Sequence, residues 1–333
     1  MGEVLSRRRE LTEGRIEELQ QKLELTRSLC ADHGCVYSTG SYGRVEASRY
    51  SDLDLFILSR ELDKGSPEKP RKEPSLGNLK QICVKADLIR ATQELGIEEF
   101  SGDGEYLTHY TVEDLKRTLG TREDDVTNTF TARLLLLIES SPLIGKPAYE
   151  QLTRSVIDAY WKDYQGKESE FIPGFLVNDI LRMWRTFCVN YEAGKPPESE
   201  EDKAKRKLKN YKLKHSRMLS CYSALMFLLF TYKKEGTVSP NAALDMVSRT
   251  PTRRLEWLLS QKDCEATHED IEKIITAYET FLRQTDAPKD ELVNRFKGDT
   301  KQFFEEARLF GSSVFSVLQT LGTDNALYRV IVV

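Results

Sequence analysis

An α+β fold is the class this sequence predicts, with strands and helices in its first part and helices almost alone in the rest. Three observations carry that expectation. Two short apolar stretches, residues 35–39 and 52–58, flank a glycine-containing bend and have the length of strands. From Lys146 onward apolar residues recur at helical spacing, and strand-like content returns only in the closing Tyr328-Arg329-Val330-Ile331-Val332-Val333. The 333 residues are 39% hydrophobic and 31% charged, the balance of a globular chain rich in exposed helices.

In order, residues 6–33 read as a helix whose stripe is Leu11, Ile16, Leu19, Leu23 and Leu25, ended by Gly34. A short strand, 35–39, leads into the bend at Gly40, a short helix is expected over 44–47, and a second strand over 52–58. Residues 60–76, rich in Lys, Pro, Glu and Ser, form a surface loop, and 79–95 return to helical spacing. A third strand is expected over 105–110. Thr111 caps a helix with acids in its first turn, and the strongly apolar 125–140 make a buried helix. Pro142 and Gly145 mark a boundary, which divides the chain into a domain over 1–142 and a helical domain over 143–333. Helices are expected in the latter at 149–164, 171–191, 208–233, 239–259, 268–285 and 289–321.

Chemistry concentrates in one stretch, Gly40-Ser41-Tyr42-Gly43-Arg44 followed by Ser51-Asp52-Leu53-Asp54 at the head of an apolar run. In an extended chain residues two apart share a face, so Asp52 and Asp54 project together while Leu53 and Leu55 turn to the core. Two adjacent carboxylates repel unless a cation lies between them. Magnesium, which takes one or two carboxylates and keeps its other positions for water and phosphate oxygens, suits that pair. Glycine at the bend lets backbone N–H groups approach a phosphate. An isolated Asp-x-Asp is common in solvated turns; the spacing to Gly40-Ser41 and the strand that follows give this one its meaning.

This segment resembles the signature of the DNA polymerase β-type nucleotidyltransferase superfamily, a Gly-Ser turn followed by an Asp-hydrophobic-Asp-hydrophobic strand. The local form, with Ser51 before the acids, is similar to the bacterial branch that includes the uridylyltransferase domain of nitrogen-signalling enzymes. The resemblance covers roughly the first domain. It implies a small mixed, palm-like sheet backed by helices, a nucleoside triphosphate such as ATP as substrate, and magnesium, two ions in the fullest form. It also implies metal ligation by Asp52 and Asp54 and a third carboxylate on a neighbouring strand. Glu105 heads the best strand candidate for that role, with Asp87, Glu98 and Asp103 as alternatives; His109 reads as a packed histidine. Gly40, Ser41, Arg44 and Ser51 are expected at the nucleotide. Relatives with a following helical domain use a Lys and a Ser from it on the phosphates, which here points to Lys214, Ser216 or Arg217, while Asp179 and Arg182 read as structural, Asp179 pairing with Arg182 or Arg217.

The activity so implied is transfer of an NMP from an NTP to an acceptor hydroxyl, on a protein, a tRNA end or a small alcohol. The alternatives are an inactive nucleotide-binding regulatory module and a helical interaction scaffold. A net charge of −4 argues against bulk DNA binding while leaving local basic patches open. No run approaches a membrane span and no secretory signal is read at the start, so a cytoplasmic protein is expected. The six cysteines follow no zinc or disulfide spacing.

Overall fold

A computed structural model describes residues 2–64, 71–97, 100, 107–194, 196 and 198–332. It is a mixed α+β structure, mostly helical, that divides into two units: Leu5–Ala159, and Met1–Val4 with Tyr160–Val333. No helix among the described residues is long and apolar enough to cross a membrane.

In the first unit the elements run α1 (Glu3–Lys22), α2 (Glu24–Cys30), β1 (Gly34–Thr39), α3 (Gly40–Gly43), β2 (Asp54–Ser59), β3 (Glu61–Asp63), β4 (Lys72–Pro74), α4 (Asn78–Glu94), β5 (His109–Thr111), α5 (Val112–Arg117), α6 (Glu123–Val126), α7 (Thr129–Ile138), β6 (Ser141–Ile144) and α8 (Lys146–Tyr160). Four strands make a mixed sheet in the order β5-β2-β1-β6: β1 is antiparallel to both β2 and β6, and β2 is parallel to β5. Strands β3 and β4 form a separate antiparallel pair.

Alternation along β1 and β2 gives the sheet two buried faces. Val36, Leu55 and Ile57 join Leu19, Leu23, Val84 and Leu88 in one core cluster under α1 and α4. Tyr37 and Phe56 take the opposite face, stacked at 5.5 Å between centroids, with Tyr149 of α8 6.2 Å from Tyr37. The Tyr37 hydroxyl donates to the Ala132 carbonyl of α7. Helix α7 is buried nearly all round, and its one cation, Arg133, is neutralised by a two-pronged pair with the buried Asp124 at 2.9 and 2.6 Å. Thr111 and Asp114 close the capping box that starts α5.

The second unit holds α9 (Gly174–Glu192), α10 (Glu200–Lys212), a π-helical turn at Leu213–Arg217, α11 (Met218–Glu235), α12 (Pro240–Ser248), α13 (Pro251–Leu259), α14 (Glu265–Gln284), α15 (Lys289–Lys297), α16 (Lys301–Gly322) and α17 (Ala326–Val332). The single helices expected over 239–259 and 289–321 are each two. Thr250 caps α13 with Pro251 in its first turn, and Gly298 is extended after α15. The strand-like closing stretch is helical as well, through Val332. Asn325 starts it, its side chain accepting from the Leu327 N–H and donating to the carbonyls of Leu229 and Leu321.

Candidate functional site

Strand pairing, rather than nearness in sequence, joins the bend to the acids. Thr39, the last residue of β1, lies across from Asp54, the first of β2. Gly40 therefore begins its turn against the Asp54 carboxylate: it has φ +63°, and a Cβ there would sit 3.1 Å from Asp54 Oδ2. Gly43 is more tightly confined, because a Cβ would lie 2.2 Å from the Glu139 carbonyl oxygen and 2.7 Å from that of Ser38. The expected helix over 44–47 is instead this tighter turn at Gly40–Gly43, and the residues after it fold back. The Val45 N–H donates to Tyr42 O and the Glu46 N–H to Ser41 O, while the Ala47 N–H donates to Thr12 Oγ1 at 2.8 Å. Val45 has φ +57°, a conformation that a β-branched residue reaches only under constraint.

Leu53 and Leu55 both enter the core cluster, and Asp52 is exposed while Asp54 is half-buried. In extended chain that alternation turns the two acids away from the core cluster. The charge of Asp52 is felt at the bend. The Tyr42 phenol is raised by burial, eased by Arg15, and raised further by Glu18 and Asp52. Ser41 is half-buried, and Ser51 closes the loop before the acids, its hydroxyl accepting from the Ser48 N–H at 2.9 Å.

Beneath the bend lies a group that sequence reasoning missed. Glu139, 2% exposed, accepts from the Gly40 N–H with one oxygen at 3.3 Å and from Arg44 Nη1 with the other at 3.2 Å. Arg44 is itself buried and also donates to Glu46 Oε1 at 2.6 Å. The guanidinium expected on a phosphate is thus held by two internal carboxylates. A signal for Glu139 existed, since a carboxylate directly after the apolar run 134–138 must find a partner if that run is buried.

The expected third acid, Glu105, lies outside the described residues, as do Glu98 and Asp103. Asp87 ties α2 to α4: it accepts from Thr26 N–H and Oγ1 and from Arg90 Nη2 at 2.8 to 3.0 Å. Burial raises its carboxyl, but these hydrogen bonds outweigh burial and leave it below the usual value. His109 shares a 2.9 Å hydrogen bond with Ser59, and burial pushes its imidazole down to about 4. No group of three or more His, Cys, Asp or Glu among the described residues is arranged to hold a metal. Asp52 and Asp54 remain as two hard oxygen donors, which by chemistry suit a magnesium ion that completes its shell with water and phosphate.

In the second unit, Lys214, Ser216 and Arg217 come together on the π-helical turn. Lys214 Nζ lies 5.8 Å from the Phe304 ring and the Arg217 guanidinium 5.2 Å from Phe187, while the Ser216 hydroxyl donates to the Lys212 carbonyl. Asp179 accepts from the Tyr160 hydroxyl at 2.6 Å and lies 3.9 Å from Arg182. Against known proteins, the sequence matches no family model and no curated protein.

Proposed function

We propose that the first unit is a palm-like nucleotidyltransferase of the DNA polymerase β type, moving an NMP from an NTP to an acceptor hydroxyl with magnesium. One observation carries the reading: the antiparallel Thr39–Asp54 pair sets the Gly40 bend 3.1 Å, from its would-be Cβ, beside a carboxylate oxygen. A positive-φ glycine, beside an acid that heads a strand, is what a phosphate-and-metal site needs.

In this reading Asp52 and Asp54 hold the ion, and Ser41 and the bend orient the β and γ phosphates. Bound magnesium would supply charge neutralisation on the triphosphate. The acceptor oxygen forms a bond to the α-phosphorus, the α–β bridge breaks, pyrophosphate leaves, and the hydroxyl proton passes to a base, for which the sequence offers Glu105. Placement and charge do the chemistry, with no covalent enzyme intermediate.

The test pairs labelled NTPs with a cell extract and the purified full chain. Transfer of label that needs magnesium, and falls at least about a hundredfold in Asp52→Asn and Asp54→Asn with unchanged melting, is the expected result. Equal transfer by both variants overturns the assignment. A second reading, nucleotide binding without transfer, is favoured by Arg44, whose guanidinium already meets Glu46 and Glu139. Magnesium-dependent NTP binding in calorimetry with no labelled product from any extract would select it.

A further inference from the structure

The charge of this chain is not evenly spread. Between 203 and 217 the sequence has eight Lys or Arg and no Asp or Glu. Helix α10 buries Ala204, Leu208 and Tyr211, and the exposed Lys205, Lys209 and Lys212, each directly after one of them, form a stripe at i, i+4 and i+7 along the flank of that buried side. That spacing puts a cation about every 5 Å along one helix face. The acids of the segment, Glu200, Glu201 and Asp202, are confined to the first turn of α10, where Glu201 pairs with Lys205 and Glu200 with Lys203.

Aromatic rings line the neighbouring helix in the same unit. Trp184, Phe187 and Tyr191 of α9 recur at i, i+3 and i+7, each half-buried. The cations of the basic segment reach over them, Arg217 above Phe187 and Arg206 above Tyr191, both at 5.2 Å. Trp184 meets Tyr222 edge-on at 5.7 Å, and Glu192 reaches Arg206 at 4.0 Å.

We propose that this face of the helical unit binds single-stranded nucleic acid, its phosphates along the Lys205–Lys209–Lys212 stripe and its bases against the α9 rings. A row of cations beside a row of rings is the arrangement that sequence-tolerant single-strand binders use, because every base has a π-face and every residue a phosphate. A lipid surface fits poorly, since the exposed side of α10 offers lysines and no apolar face to insert. The stripe also accommodates the overall charge of −4, because binding here is local and not driven by the whole-molecule field. It stands apart from the transfer reading and needs nothing from Asp52 or Asp54.

The experiment is fluorescence anisotropy of the full chain with end-labelled single-stranded RNA and DNA, the matching duplexes, and a polyglutamate peptide. Single strands are expected to bind at micromolar affinity, with a log K against log salt slope of about −2 to −3 from three or four phosphate contacts. The double variant Lys209→Glu, Lys212→Glu, both exposed, should bind at least about tenfold more weakly with an unchanged melting curve. Tyr191→Ala should weaken single strands more than duplexes. Asp54→Asn should bind as the parent does, which separates this result from any failure of transfer. No single-strand binding at about 100 µM in low salt, equal binding by the charge-reversed variant, or polyglutamate binding as tight as RNA would each overturn the proposal.

Discussion

At Gly43 an added methyl group would meet two backbone oxygens, those of Glu139 at 2.2 Å and Ser38 at 2.7 Å, and neither can move without shifting the end of α7 or strand β1. Gly40 is different: its would-be neighbour is the end of a side chain, Asp54 Oδ2 at 3.1 Å, and the added burden is the positive φ. Gly43→Ala is therefore expected to cost about 3 kcal/mol and Gly40→Ala about 1–2 kcal/mol, in urea melts; the reverse order would count against the described bend. Glu139→Ala removes one of the two carboxylates around Arg44 and the acceptor of the Gly40 N–H, and should cost about 3 kcal/mol, with Glu139→Gln losing roughly half of that. Gly40, Ser41, Asp52 and Asp54 were legible because they lie close together in the chain and follow a chemical pattern. The partners of Glu139 and the need for Gly43 were not, because the contact that explains them spans 99 residues from Gly40 and exists only once β6 joins β1.

Among elements, the sequence reads most clearly where a helix has a long apolar stripe and least clearly where an element is short. Residues 141–144 looked like a boundary because of Pro142, yet they form β6, which is an edge of the sheet, where a missing N–H costs no ladder bond. The closing Val330-Ile331-Val332 has strand-forming composition, but Leu327 is fully buried and Asn325 holds the helix start, so packing overrides propensity. The π-helical turn had no sequence signal of its own, such as Gly or Pro. What accompanies it is His215, buried and stacked on Phe281 at 4.7 Å and 5°. Helix breaks, by contrast, follow capping chemistry that could have been read: Ser239 and Thr250 each precede a proline and accept a hydrogen bond from the first turn. Ser239→Ala and Thr250→Ala are each expected to lower the stability of the helical unit by about 1 kcal/mol, nearly additively in chemical denaturation, since each caps a separate helix.

On the scale of the whole molecule, each unit carries a histidine whose burial disfavours its charged form, and this contributes to the response to acid. Burial pushes His215 down to about 4 from an ordinary 6.5, against the opposing pull of the Tyr211 carbonyl, to which its Nδ1–H donates, and of Glu306; Lys214 lowers it further. His109 in the first unit falls to about 4 through burial, with Asp114 opposing and Lys85 assisting. Below pH 6.5 the unfolded chain binds protons that these folded sites refuse, so stability is lost as pH falls from about 6.5 to about 4 and changes no further once the folded sites also protonate. The depressed carboxyls of Asp87 and Asp114 act in the same direction but only lower, below the ordinary carboxylate range. For the fully buried His215 the loss is roughly 3 kcal/mol at most, and the half-buried His109 contributes less. Urea melts at pH 7, 5.5 and 4.5 should show that decline. His215→Phe, which keeps a ring against Phe281, should flatten it for the helical unit, while His109→Gln, which keeps a side-chain partner for Ser59, should flatten it for the other. Unchanged steepness in both variants would mean that the acid response comes from the carboxylates alone.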